Sequence, residues 1–372
     1  MQSYDVAIVG AGPGSLKAAE FLANNGKSVL VLERGKIIGK KVCAGGISLK
    51  NFKFGIPKSI MEKEFKRIII HTPKQSTIIE HDEPILYTTS RVALGSYLAG
   101  EAKKAGAVIK TECNVTEITE NTLKIFDRHE NDNKQIYFQH LIGGDGSASV
   151  VRSYLGLKSH AFHQAYQYII PTSSSNTTIN TSNKKDGLFN DLELFVDANK
   201  FGLGYGWIFP YKTTASIGSG CDLAPEMQKY YPAAKLREKF QQWFTKEFDQ
   251  KYNFAQKEFQ AHTITYGYLG HKFGKLGNIY LIGDAAGFSS SLTAEGIYQS
   301  ILTGLEVAKQ IVDPKYSCPE IQRLIAIKKK EDYYYKLFSH PPFVRNFFYE
   351  VVGLLLKNKK FAGKVMGKIN RY

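Results

Sequence analysis

Residues 4–15 read Tyr4-Asp5-Val6-Ala7-Ile8-Val9-Gly10-Ala11-Gly12-Pro13-Gly14-Ser15. A short apolar run ends in glycine, an Ala- and Leu-rich stretch follows from Gly14 to Asn24, and Ser28 to Glu33 is apolar again. Strand, helix, strand is the expected opening unit. Gly10 permits the tight turn, Gly12 lets a pyrophosphate approach the backbone, and the helix N-terminus offers aligned N–H groups to the phosphate charge. Gly14 keeps the turn small, and Ser15 stands where a third glycine is usual. Glu33 closes the second strand, where an acid bonds a ribose hydroxyl. The stretch predicts a bound dinucleotide.

Two remote clusters repeat the theme of a strand ending in small residues and an acid. Leu281-Ile282-Gly283-Asp284-Ala285-Ala286-Gly287 is followed by Leu292-Thr293-Ala294-Glu295-Gly296-Ile297 and a helical stretch to Ile311. Asp284 at the strand tip can hold a ribityl hydroxyl, and the N-terminus of the helix expected from Ala294 to Ile311 can direct its positive end at a flavin pyrimidine ring. A nicotinamide bound at the first cluster needs no such second site, so the dinucleotide is read as tightly bound FAD. The other cluster is Gly144-Asp145-Gly146-Ser147-Ala148-Ser149-Val150-Val151-Arg152.

In this order the three clusters resemble the FAD proteins of the p-hydroxybenzoate hydroxylase fold. That resemblance implies an α/β protein with a Rossmann-like FAD domain, of the type also seen in glutathione reductase. A second, mostly antiparallel β-sheet substrate domain and a helical C-terminus complete it. It also implies flavin contacts from Arg91, Val115 and Asp145. Gly204-Tyr205-Gly206-Trp207-Ile208-Phe209-Pro210, with Gly218-Ser219-Gly220 after it, resembles the YxWxFP and GxG signature of the geranylgeranyl reductase family. Lys41-Val42-Cys43-Ala44-Gly45-Gly46-Ile47-Ser48 resembles that family's cysteine-bearing loop, which places Cys43, Ala44 and Gly46 at the flavin. Ser291 stands where the family has proline and Ala294 where it has glycine.

The resemblance implies saturation of C=C bonds in a polyprenyl lipid by hydride from reduced flavin N5, with Cys43, Tyr205 and Trp207 as catalytic candidates. Tyr205, Trp207 and Phe209 alternate along a strand and can offer one apolar face to a greasy chain, with Pro210 and Gly218 beside it. A single dinucleotide fingerprint leaves NADPH, or another electron donor, to dock transiently. A competing reading keeps the fold and changes the chemistry to a flavin monooxygenase or halogenase acting on an aromatic substrate.

The chain has 372 residues, enough for two domains, and 43% hydrophobic residues to fill their cores. The expected FAD domain comprises 1–65, 85–155 and 262–311, the substrate domain 66–84 and 156–261, and a basic, aromatic helical region 312–372. A Ser/Thr/Asn-rich stretch, Ile169 to Asn183, marks a change of composition inside the second of these. Four scattered cysteines, Cys43, Cys113, Cys221 and Cys318, argue against a metal site or disulfide framework and for a reducing compartment. With no basic leader before Val6 and no run approaching the ~20 apolar residues of a membrane span, the protein is read as cytoplasmic. Eleven Lys/Arg against three Asp/Glu in residues 328–372 give that region +8 of the net +15. With the aromatics from Tyr333 to Phe348, the lysines from Lys357 to Lys368 suggest contact with an anionic membrane; a helical cap over the substrate is the alternative. No nucleic-acid-binding motif accompanies the charge, so no nucleic-acid partner is expected.

Overall fold

The computed structural model describes residues 2–172 and 189–364, apart from 229, 255 and 276. Residues 173–183 of the Ser/Thr/Asn-rich stretch and 365–368 of the basic tail lie outside the described residues. The chain divides into two compact units, one of 1–41, 91–162 and 264–334 and the other of 42–90, 163–263 and 335–372. The contacts thus group 42–65 with the second unit, whereas the sequence reading grouped them with the first.

The first unit is built on an eight-stranded sheet. Strands Ile279–Leu281, Asp132–Gly143, Gln2–Val9, Val29–Leu32 and Val108–Lys110 run parallel in that order, and Lys272–Phe273 pairs antiparallel at one edge. Val6–Val9 and Val29–Leu32 are buried throughout, as expected of parallel strands covered on both faces. Gln2–Val9 has its sequence neighbour Val29–Leu32 on one side and the distant Asp132–Gly143 on the other, so the loop leaving it sits at a topological switch point. A hairpin, Cys113–Ile118 with Thr122–Asp127, extends from Asp132–Gly143.

Helix Pro13–Asn24 packs against helix Ile297–Val312. Close approach is possible because Gly14 and Gly304 lack side chains: a Cβ on Gly14 would collide with the Ser300 carbonyl, and one on Gly304 with that of Gly14. The second of these helices starts at Ile297 and not at Ala294, because Ser290 N–H bonds the Glu295 carbonyl and closes a turn with Ala294 at φ +55°. Asp284 likewise lies in one helical turn, Gly283–Ala286, and not at the tip of the strand, which ends at Leu281.

The second unit contains a seven-stranded sheet in the order Glu258–Thr265, Phe162–Pro171, Thr214–Asp222, Gly204–Pro210, Leu192–Phe195, Arg67–His71, Ser76–Glu80. Of its defined pairings only Leu192–Phe195 with Arg67–His71 is parallel. Helix Ala233–Phe244 covers one face, where Phe240, Trp243 and Phe244 pack on Ile170, Ile208 and Ile217. Beyond Phe244 the helix continues into a widened turn, Thr245–Asp249, that keeps Phe248 in the same core. A small sheet of Gly46–Ser48, Leu86–Thr88 and Lys63–Phe65 completes this unit. Helices Pro319–Phe338 and Pro342–Leu356 follow, and no helix among the described residues is long and apolar enough to cross a membrane.

Candidate functional site

In the first unit the three clusters of small residues meet. Gly10 has φ +88°, and a Cβ there would lie 2.7 Å from the Gly144 carbonyl oxygen and the Asp145 Cα, so only glycine allows these loops to touch. Ser15 is buried under Gly144, whose missing side chain makes room for its hydroxyl; the absent third glycine is compensated across the contact. Over Gly12 a Cβ would meet nothing closer than the Gly144 oxygen at 3.5 Å, leaving the backbone approachable. Glu33 ties the turn down: one carboxylate oxygen accepts the Ala11 N–H (2.8 Å) and the other the Gly35 N–H (2.7 Å). Each oxygen retains capacity for a ligand hydroxyl.

Ser149 caps helix Val150–Tyr154, and Asp145 accepts the Val150 N–H at 2.7 Å, while its Oδ1 is buried without a hydrogen-bonding partner. Burial pushes this carboxyl above the ordinary carboxylate range, partly offset by the N–H groups it accepts. Arg91 opens helix Arg91–Lys104, and Gly39 lies so close that a Cβ would collide with the Arg91 carbonyl. Its Nε and Nη1 are buried and unpartnered, which suits a phosphate oxygen. Val115, on strand Cys113–Ile118, lines a shallow cavity of about 220 Å³ with Val150 and Tyr154.

The Asp284 carboxylate accepts Lys41 Nζ at 2.9 Å and the Ser289 hydroxyl at 2.5 Å. Gly283 donates its N–H to Thr303 Oγ1, and Gly287, at φ +77°, leaves no space for a side chain against the Gly267 carbonyl. Gly296 caps helix Ile297–Val312, and a Cβ on it would meet Ser289 Oγ at 2.7 Å and Asp284 Oδ1 at 3.1 Å. Asp284 and Gly296 are therefore neighbours.

The remaining candidates lie in the second unit. Trp207 is 5% exposed and donates its indole N–H to Ser216 Oγ at 2.9 Å. Its ring lies where a Cβ on Gly218 would be, so Gly218 is glycine to admit the indole. The sequence reading made Trp207 and Gly218 a substrate and catalytic surface; their contacts are those of packing. Tyr205 and Phe209, on the same strand face, are only partly buried, and Pro210 is buried with its carbonyl accepting the Thr88 hydroxyl at 2.7 Å. The Ser216 hydroxyl donates to Gln167 Oε1 (2.9 Å), and Gln167 Nε2 donates to the Cys43 carbonyl at 3.4 Å. Tyr211 donates to the Ala44 carbonyl at 2.8 Å, and a Cβ on Gly46 would lie 2.8 Å from the Phe209 ring. The cysteine loop and the aromatic strand are thereby tied together, with the Cys43 thiol half-buried and accepting the Gly45 N–H at 3.3 Å.

The sequence pattern of the FAD binding domain family matches residues 3–313. The chain belongs to that family. A digeranylgeranylglycerophospholipid reductase of Methanocaldococcus jannaschii is 28% identical to it over 91% of this chain and 85% of its own length. A geranylgeranyl bacteriochlorophyll reductase-like protein from Thermoplasma acidophilum superposes with a TM-score of 0.68 at 21% identity, over 100% of this chain and 92% of that one. The flavin-dependent brominase Bmp2 superposes at 0.65 with 15% identity, over 98% and 92%. The fold is that of p-hydroxybenzoate hydroxylase-type flavoproteins, and this FAD-binding protein presents groups that fit the cofactor: the approachable Gly12 backbone and the unpartnered nitrogens of Arg91.

Sequence reasoning passed over several residues of this FAD-binding protein. Arg152 is buried and donates Nη1 to the Ala285 carbonyl at 3.3 Å and Nη2 to the Ser147 carbonyl, stapling the Asp145 cluster to the Asp284 cluster. Lys328 donates to the Ser289 carbonyl at 2.6 Å, and Glu331 accepts the Ser290 hydroxyl at 2.7 Å and the Ser291 N–H at 3.1 Å. Both stand on helix Pro319–Phe338, remote in sequence from the loop they hold. Arg152 had a signal, a basic residue in the first turn of the helix that Ser149 caps; Lys328 and Glu331 had none.

Proposed function

We propose that this protein is an FAD-dependent reductase that saturates C=C bonds of an isoprenoid lipid, with NADPH or another electron donor as the transient reductant. The observation that carries the reading is the joining of the cysteine loop to the aromatic strand in one unit, through Gln167, Ser216 and Trp207. Both segments carry the family signature in sequence, and the Methanocaldococcus relative is named for a substrate of this class.

In this reading Gly10, Gly12, Gly14 and Arg91 hold the cofactor's phosphates, Glu33 its ribose, and Asp284, Gly287, Gly296 and Ile297 its flavin end. Bound FAD supplies a two-electron centre able to give hydride to carbon. The chain supplies the rest. Tyr205 and Phe209 offer apolar area to a substrate that has little besides methyl-branched hydrocarbon to be recognised by. Trp207 stiffens that strand by filling the space over Gly218. An isolated alkene accepts hydride poorly, so a proton must reach the second carbon in the same step; the Cys43 thiol and the Tyr205 hydroxyl are the candidates.

The test is anaerobic. The holoprotein is reduced with dithionite and mixed with geranylgeranyl diphosphate or a geranylgeranylated glycerol lipid, and the product is weighed by mass spectrometry. Flavin reoxidation with a product two hydrogens heavier per reduced bond is expected. Reoxidation by oxygen alone, with a hydroxylated or halogenated aromatic product, would replace this reading with the monooxygenase or halogenase one.

A further inference from the structure

Helix Pro342–Leu356 has one buried face and one exposed apolar face. Arg345, Tyr349, Gly353 and Leu356 follow one another at helical spacing, and Arg345, Gly353 and Leu356 are buried. The helix is pinned to the hairpin of Arg67–His71 and Ser76–Glu80: Glu350 accepts the Thr72 hydroxyl at 2.9 Å and the Lys74 N–H at 2.9 Å, and the Gly353 carbonyl accepts the Thr77 hydroxyl at 2.9 Å. The opposite stripe consists of Phe343, Phe347, Val351, Leu354 and Leu355, which are 75%, 67%, 37%, 58% and 47% exposed. Five large apolar side chains on one continuous helix face are unusual for a surface facing only water.

What surrounds the stripe selects its partner. Lys357, Lys359, Lys360 and Lys364 follow the helix and are exposed, with Phe361 among them 38% exposed. From Phe343 to Lys364 the only acidic residue is Glu350, already engaged on the buried side. A two-fold contact through this segment would set these lysines against the same lysines, and between Phe343 and Lys364 the one carboxylate, Glu350, is already engaged on the hairpin. Anionic headgroups meet the lysines while acyl chains cover the stripe, and long lysine stems can lie along apolar surface with their charges in the headgroup layer. A helix of 15 residues is about 22 Å long, which suits lying in the interface and not crossing it.

We propose that this face seats the protein on an anionic lipid bilayer, with Phe343, Phe347 and Leu355 inserted and the lysines on the headgroups. The inference is independent of the reaction assigned above. Its test is co-sedimentation of the holoprotein with phosphatidylcholine vesicles, with and without phosphatidylglycerol. Salt-sensitive binding to the mixed vesicles is expected, weakened by about tenfold or more in the Phe343→Ser/Phe347→Ser/Leu355→Ser variant. Lys357→Gln/Lys359→Gln/Lys360→Gln is expected to lose the preference for anionic vesicles and keep residual binding. These side chains are exposed, so the circular dichroism spectrum and flavin content are expected to stay unchanged. Wild-type protein that ignores both vesicles, or a serine variant that binds as wild type, overturns the proposal. A wild-type dimer by light scattering that the serine variant converts to monomer reassigns the face to self-association.

Discussion

Two substitutions toward the pattern usual in geranylgeranyl reductases should shift stability in opposite directions. Ala294 sits at φ +55°, where an L side chain costs about 1–2 kcal/mol. Ala294→Gly removes that strain, and the larger unfolded-state freedom of glycine takes back roughly 0.4–1 kcal/mol. The net expectation is a gain of about 0.5–1 kcal/mol. Ser291→Pro deletes the N–H that Glu331 accepts at 3.1 Å and the hydroxyl it accepts at 3.4 Å. A hydrogen bond to a charged group contributes about 1.5–3 kcal/mol, so a loss of about 2 kcal/mol is expected. Urea unfolding of each variant reads the sign directly. In a Glu331→Ala background the acceptor is already gone, and Ser291→Pro should then cost much less than in the wild type. Destabilisation by Ala294→Gly, or stabilisation by Ser291→Pro, would show that the loop does not hold this turn.

Three further outcomes follow from burial. In the FAD-free native protein a disulfide reagent should modify one thiol, Cys43, because Cys113, Cys221 and Cys318 are buried, and burial pushes the Cys221 thiol up to about 12 and that of Cys318 to about 11; Cys43→Ser should abolish the reaction, and a second fast equivalent would contradict this. Burial holds the His140 and His271 imidazoles below their ordinary value, so the unfolded chain takes up protons that the native state refuses, and stability should fall as pH drops below about 6.5. His140→Leu should flatten that acid-side loss in urea titrations at several pH values; an unchanged slope refutes the assignment. Arg345 is fully buried and its guanidinium has no hydrogen-bonding partner, so Arg345→Met should raise stability by about 1–4 kcal/mol, and a lower unfolding midpoint would refute the reading of an uncompensated charge.

Local chemistry made much of this protein legible in its sequence. Gly10, Gly12 and Glu33 report a backbone turn and its neighbours, which a few consecutive residues dictate, and the three clusters carry that signal at fixed offsets from their strands. The FAD-binding fold and the second sheet were therefore readable. Alternation along Tyr205, Trp207 and Phe209 gave the strand and its shared face, but not how much of that face stays open. That depended on Gly218 and Ser216 across the sheet, which turn Trp207 into a packing residue.

Tertiary structure alone decided the contacts between segments far apart in the chain. Arg152 on the Ala285 carbonyl, Lys41 on Asp284 and Glu331 on Ser291 have no spacing rule, because each pair is set by where helices and loops come to rest. The same holds for the two faces of helix Pro342–Leu356. One face carries Arg345 and Tyr349 and the other five large apolar side chains, and packing against the hairpin buries the face of Arg345 and Gly353 while that of Phe343 and Phe347 is left to solvent. Sequence fixes which surfaces are apolar; the fold decides which of them find a partner within the chain.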